Sequence, residues 1–201
     1  MSSLDSLRRH ADIARLRERI ARHQPVEVDE PGVRRAAVAL ILRLGAPLDE
    51  PEIFFIQRAQ YATDPWSGQV AFPGGREEPG DESLVHTAAR ETFEETAIDI
   101  ERDGEVIGQL DDLRPRTVRL PDVSVRPYVV LIGEHSNPVL SDEVAASFWV
   151  PLNTLRDDRG WRDTIVTAGG QEFTRRAFHH SGFVVWGMTE RIVSGFLELL
   201  G

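Results

Sequence analysis

Glu91, Glu94 and Glu95 stand at spacings i, i+3 and i+4. On a helix of about 3.6 residues per turn this gathers three carboxylates within a sector of roughly 100°. Such a group repels itself unless a cation sits within it, and its hard oxygens suit Mg²⁺ or Mn²⁺. The paired glycines of Pro73-Gly74-Gly75 let the backbone turn sharply and approach a ligand closely, because no Cβ obstructs it. Arg90 directly precedes Glu91 and can brace a neighbouring carboxylate by a charge-assisted hydrogen bond, fixing a metal ligand in orientation. Each feature alone is common, since most acidic helical faces are merely solvated. Their combination is what points to a phosphate or metal site.

The elements that must position these residues follow from periodicity. Helical spacing runs from about Asp81 to Ala97, with Val85, Ala89, Phe93 and Thr96 opposite the glutamates. That face is predicted to pack on a sheet, leaving the acidic face hydrated above the glycine turn. Apolar and β-branched runs predict strands at 36–44, 53–57, 69–72, 105–110, 123–132, 146–150, 164–167 and 172–178, with Gly169-Gly170 turning the last pair. A helix is predicted from Val185 to Leu200, in which Trp186, Met188 and Ile192 read as core. Leu4 to His23 reads as one amphipathic helix, with Leu4, Leu7, Ala11, Ala14 and Ile20 near helical spacing. It is expected to pack on the domain or to contact a second copy in a homodimer. Strands before and after a central helix, with another at the C-terminus, indicate an α/β sandwich with a mixed sheet. An N-terminal helical extension over 1–30 and one domain over 31–201 are expected.

Composition narrows the class. The 201 residues contain no cysteine, which excludes a disulfide framework, a thiolate zinc site and a cysteine nucleophile. Acids outnumber arginines 33 to 23, and the net charge of −10 argues against nucleic acid as a partner. No apolar run reaches the roughly 20 residues that span a bilayer, so no membrane association and a cytoplasmic location are expected. An anionic small molecule entering an acidic site needs a cation or local arginines.

The stretch from Gly75 to Ile98 resembles the Nudix box, G-x5-E-x7-R-E-U-x-E-E-x-G-U with U bulky and apolar. From Glu82 the register fits through Arg90-Glu91, Glu94-Glu95 and Ile98; one extra residue lies between Gly75 and Glu82, Thr92 stands at a U position, and Ala97 replaces the glycine. The insertion leaves both Asp81 and Glu82 open as the box's first acid. The resemblance implies a Nudix-type α/β/α sandwich that hydrolyses a diphosphate linked to another moiety, with Mg²⁺ or Mn²⁺. It implies Glu91, Glu94, Glu95 and the Gly75 carbonyl as metal ligands, and Arg90 and Glu94 in the catalytic machinery. Glu143, just before a strand, resembles the loop acid that many of these enzymes turn toward the metals, and an exposed acid is the alternative.

Upstream, "RAQYATDPWSGQVAFPGG" resembles the signature R-S-x-x-L-R-x-H-x-G-Q-V-A-F-P-G-G of the coenzyme A pyrophosphatase branch. Arg58 and Gly68 to Gly75 agree, whereas one residue is added in the middle, where Asp64, Pro65 and Trp66 replace its Arg and His. Arg58, Gly74, Gly75 and Arg116 are the candidate substrate contacts, with Arg114 and Arg119 in the same loop as Arg116. His179-His180 receives no role, because adjacent strand residues face opposite ways. The resemblance leaves three functions to separate: a coenzyme A pyrophosphatase, an ADP-ribose or nucleotide-sugar pyrophosphatase, and a silent nucleotide sensor.

Overall fold

Arg34–Gly45 (β1) is the axis about which the protein is built. Ala37, Ala39 and Ile41 point to one face and Leu40, Leu42 and Leu44 to the other, all buried. A strand apolar on both faces requires cover on both sides. The computed structural model describes residues 3–46, 50–61, 66–115, 122–133, 137–168 and 170–201.

β1 runs parallel to β6 (Val123–Ile132), and β5 (Gly104–Gln109) pairs antiparallel beyond it. Its other edge is divided. Leu42 to Gly45 pair with β2 (Glu50–Arg58), whereas Ala36 to Val38 pair with β4 (Gly74–Arg76). β2 pairs with β7 (Val144–Pro151) along one edge and, at Ile56 and Gln57, with β3 (Val70–Ala71). β1 and β2 therefore diverge, and residues 70–76 cross the gap between them. The result is one mixed seven-stranded sheet.

Two layers of helices cover it. α1 (Ser3–Arg9), α2 (Ala11–Arg22) and α6 (Gly187–Leu200) bury Leu7, Ile13, Leu16, Val193 and Phe196 against the Leu40–Leu42 face. α3 (Leu84–Thr96) and α4 (Ile100–Asp103) bury Leu84, Ala88 and Ile100 against the Ala39–Ile41 face. This is the α/β/α sandwich expected, and the N-terminal helices share its core. α5 (Leu152–Arg156) and a short 3₁₀ turn lead into β8 (Trp161–Ala168), β9 (Gln171–His180) and β10 (Phe183–Trp186). These three form a separate antiparallel sheet that periodicity alone did not separate from the first.

Two element boundaries differ from expectation. The N-terminal helix is broken at His10, whose extended backbone and Nδ1, accepting from the Asp12 N–H at 3.3 Å, start α2 afresh. The break shifts the buried phase to Ile13 and Leu16, away from Ala11 and Ala14. At the other end, Val184 and Val185 remain in β10 by pairing with His179 and Phe178, so α6 begins only at Gly187.

Ser83 caps α3, its hydroxyl accepting from the His86 N–H. The helix stops at Ala97, which takes the left-handed conformation (φ 56°, ψ 15°) and bonds its N–H to the Phe93 carbonyl at 2.8 Å. Glycine adopts that conformation without strain, while a Cβ costs about 1 kcal/mol or more. Ala97→Gly is expected to raise stability by about 1 kcal/mol, a melting shift of about 2–4 °C. An unchanged or lower melting temperature in thermal unfolding would refute that strain.

Candidate active site

Of the face periodicity indicates, Ala89 and Thr96 are buried and Val85 packs on the core, but Phe93 does not. Leu84, Ala88, Thr92 and Glu95 are buried, whereas Phe93 is 53% exposed. The sheet-facing stripe is rotated away from Phe93 toward Ala88, Thr92 and Glu95, and the buried Thr96 hydroxyl donates to the Thr92 carbonyl at 2.6 Å. The expectation of a fully hydrated acidic face is corrected accordingly. Side-chain exposure is 57% for Glu94, 18% for Glu91 and 3% for Glu95, so the three carboxylates grade from solvent into the protein.

Each of the three is held by a donor. Glu95 Oε2 accepts from the Gly74 N–H at 2.9 Å, and Oε1 lies 3.6 Å from Arg58 Nη1. Arg90 Nη1 reaches Glu91 at 3.0 Å and Glu94 at 3.1 Å. A Cβ at Gly75 would displace the Glu91 carboxylate, whereas Gly74 (φ 145°) has to be glycine, since a Cβ there would enter the Ala37 backbone carbonyl.

The ladder also decides which backbone oxygen faces this cluster. Ala39 donates to Pro73 and Glu77 to Arg35. Gly75, opposite Ala37, is therefore in the hydrogen-bonded phase and turns its carbonyl toward β1. Gly74 is in the other phase, turned away from β1 as its N–H to Glu95 shows. The Gly74 carbonyl, rather than that of Gly75, is thus turned away from β1, to the side on which the Gly74 N–H meets Glu95.

Of the two acids open as partner to Arg90, geometry selects Asp81. Its carboxylate, 2% exposed, accepts from Arg90 Nε at 2.9 Å and Nη2 at 3.0 Å, from the Thr87 hydroxyl at 2.8 Å and from the Glu78 N–H at 2.9 Å. These bonds, that to Arg90 foremost, hold its pKa well below the ordinary carboxylate range. Glu82 is exposed. The spacing Gly75-x5-Asp81 then fits the box without an insertion, and the extra residue falls between Asp81 and Arg90.

Glu143 arrives from the far side of the chain. Val139 and Ser141 donate to the Thr96 and Glu95 carbonyls at the end of α3, at 2.8 and 3.0 Å, satisfying acceptors that the helix leaves open. The Glu143 carbonyl accepts from the Ala59 N–H at 2.8 Å. Glu91, Glu95 and Glu143 line one cleft of about 640 Å³. Burial first, opposed by the Gly74 N–H and Arg58 and aided by Glu91 and Glu143, lifts Glu95 to about 7. Burial also raises Glu91, against the pull of Arg90, with Glu94 and Glu143 adding repulsion. Among the described residues no three His, Asp or Glu side chains are gathered closely enough to make a ready metal cage. As they stand, the carboxylates are tied to Arg90, Arg58 and Gly74. The donors are nonetheless all oxygen, on a cradle that a Cβ would fill, and that set fits Mg²⁺ or Mn²⁺.

The opposite walls come from distant sequence: Val123 and Val125 on β6, Met188, Thr189 and Ile192 on α6, and Trp66. Met188 and Ile192, expected as core, are thus also cleft walls. Arg58 lines the cleft; Arg114 does not, being paired with Glu30 and Asp122 at 3.0 and 2.9 Å. Arg116, Arg119, Asp64, Pro65 and Gly169 lie outside the described residues. His179 Nε2 lies 2.6 Å from the Thr164 hydroxyl, and His180 stacks near Phe148, so the two histidines do part ways.

The NUDIX domain model matches residues 33–168. The chain belongs to the Nudix family. It is 32% identical over 172 residues to human mitochondrial coenzyme A diphosphatase NUDT8, covering 83% of this chain and 70% of that protein. It is 35% identical over 131 residues to the uncharacterized Nudix hydrolase NudL of Photorhabdus laumondii, covering 63% of this chain and 66% of that protein. Among solved structures, a MutT/nudix family protein from Enterococcus faecalis aligns with TM-score 0.54 at 18% identity over 98% of this chain and 73% of that one. A C. elegans Ap4A hydrolase aligns with TM-score 0.50 at 24% identity over 60% of this chain and 82% of that one. The structural likenesses show the Nudix fold, and the family with its Nudix hydrolase relatives makes the chain a pyrophosphohydrolase. Among the described residues no helix is long and apolar enough to cross a membrane.

Proposed function

We propose that this Nudix enzyme is a divalent-metal-dependent hydrolase of nucleoside diphosphate derivatives, with coenzyme A as its substrate. The observation that carries the reading is the convergence of Glu91, Glu95 and Glu143 beside Gly74-Gly75 at one end of an otherwise largely apolar cleft. A diphosphate needs the acidic end, and a long, mostly uncharged arm such as that of coenzyme A fits the apolar walls. The human relative named a coenzyme A diphosphatase supports the choice among diphosphates.

Glu91, Glu95, Glu94 and the Gly74 carbonyl would hold Mg²⁺ or Mn²⁺, which when bound neutralises phosphate charge and acidifies water. The residues supply the rest. Arg90, fixed by Asp81, orients Glu91 and Glu94, and the Gly74 N–H and Arg58 orient Glu95. Glu143, exposed at the rim and facing the same carboxylates, is placed to take the proton of a water. The water oxygen bonds to one phosphorus, the bridging P–O bond breaks, and the bridging oxygen leaves on the second phosphate.

Purified protein with Mg²⁺ or Mn²⁺ is expected to convert coenzyme A into two phosphate-bearing products, resolved by chromatography, with chelator abolishing the reaction. Glu143→Gln is expected to lower kcat at least about 100-fold with little change in KM, as removal of a general base does. A fall confined to KM would remove Glu143 from the proton-transfer role. No hydrolysis of coenzyme A, ADP-ribose or any other diphosphate by the metal-loaded protein would leave the silent sensor.

A further inference from the structure

The cleft carries a cation that the reaction as described does not use. Arg76 lines it and follows Gly75 on β4. Directly paired residues share a face, so Arg76 stands on the same side of the sheet as its partner Ala36, which is itself in register with Val125. Ala36 and Val125 both line the cleft. Arg34 lies two residues before Ala36 and is in register with Val123, another cleft residue. Side chains alternate along a strand, so Arg34 rises from the same face as Arg76. The two are diagonal neighbours on adjacent antiparallel strands, with α-carbons about 7–8 Å apart.

Both are exposed, and among the described residues neither guanidinium has a carboxylate partner. The arginines around them differ. Arg35, on the other face of β1, is paired with Glu77; Arg58 faces Glu95; Arg90 is paired with Asp81. Two like charges set side by side without a counter-charge, in a protein of net charge −10, oppose each other until an anion joins them. Two planar guanidinium forks rising from one face on adjacent strands suit the oxygens of a phosphomonoester.

We infer that Arg34 and Arg76 form a subsite for a phosphomonoester on the nucleotide arm of the substrate. It is distinct from the carboxylate end, where the diphosphate sits. The inference rests on the proposed hydrolysis of nucleoside diphosphate derivatives and adds which of them is preferred. Arg76 and Glu91 approach the same cleft from opposite faces of the sheet, so a nucleotide lying across the gap between β1 and β2 would join the subsite to the carboxylates. A ribose bearing the diphosphate at one oxygen and a phosphate at another spans that interval.

The test compares kcat/KM for coenzyme A and for dephospho-coenzyme A, which differ only in that phosphate, in the parent protein and in Arg34→Ala, Arg76→Ala and the double variant. The parent is expected to favour coenzyme A at least about 10-fold, as the loss of charge-assisted hydrogen bonds dictates, and the double variant to bring the ratio toward one. Arg76→Lys is expected to keep part of the preference. Calorimetry with adenosine 3′,5′-bisphosphate against adenosine 5′-monophosphate, without metal, reads the subsite even if no diphosphate is hydrolysed. A parent ratio near one, an equal fall on both substrates in the variants, or equal binding of the two nucleotides would overturn the inference. Absence of hydrolysis with preferential bisphosphate binding would count against the proposed reaction alone.

Discussion

Glu95→Gln is expected to abolish turnover and at the same time to raise the melting temperature of the metal-free protein above pH 7. Both effects come from one placement. The side chain is 3% exposed, and burial lifts its pKa from 4.5 to about 7. A carboxyl whose folded pKa exceeds its unfolded value contributes stability fully present below pH 4.5 and lost as pH rises through 7. Above that range the folded protein holds a buried anion beside Glu91 and Glu143, at a cost on the order of 3 kcal/mol. Glutamine keeps an oxygen for the Gly74 N–H and carries no charge. In chelator, the variant should melt above the parent at pH 8, with the difference closing toward pH 5. Added Mg²⁺ or Mn²⁺ should stabilise the parent more than the variant, because binding to the folded state adds stability by mass action. Turnover should fall by about 1000-fold or more, since the substitution removes a proposed ligand rather than a supporting contact. Turnover near the parent's, or a metal-free variant that melts lower at pH 8, would contradict the assignment.

Asp81→Ala is expected to be the most destabilising single change near the site, and Glu82→Ala nearly silent. Asp81 accepts four hydrogen bonds while 2% exposed, two of them from Arg90. Removing it takes two bonds from Arg90, which keeps those to Glu91, Glu94 and the Arg76 carbonyl, and leaves the Thr87 hydroxyl only the Ser83 carbonyl and the Glu78 N–H without its acceptor. Because Arg90 keeps two other carboxylates, the loss of this charged acceptor costs about 2–3 kcal/mol, or about 5–10 °C in melting temperature for a chain of this size. Because Arg90 lowers the Asp81 pKa, this stability is present above pH 3.8 and is lost as pH falls below it. The gap between parent and Asp81→Ala should therefore narrow in acid. Activity should fall too, because Arg90 would no longer be fixed to orient Glu91 and Glu94. Thermal unfolding and steady-state rates of the two variants, side by side, check this. Similar losses in both, or a larger loss in Glu82→Ala, would mean that the other acid partners Arg90.

The sequence by itself determined the family, the fold class and most of the local structure. Glycines at 74 and 75, the arginine at 90 and the acids at 91, 94 and 95 combine residue types and spacings that few other sites share. Strands at 36–44 and 123–132 are legible because they are apolar on both faces, which only burial between layers explains. What the tertiary structure decided is whatever depends on neighbours remote in sequence. The rotation of α3 was hidden, because Thr92 and Glu95 are polar and disguise the buried stripe; the Gly74 N–H meets the Glu95 carboxylate, while the Thr92 hydroxyl is buried against the sheet with no hydrogen-bond partner among the described residues. Asp81 and Glu82 are indistinguishable by type, and only the turn at 78–81 swings one of them to Arg90. Glu143 reaches the carboxylates because a loop some forty residues after α3 closes on the end of that helix. The walls from β6 and α6, and the pairing of Arg34 with Arg76 on one face, follow from strand register. Register is set by the packing of the whole sheet, and no local pattern encodes it.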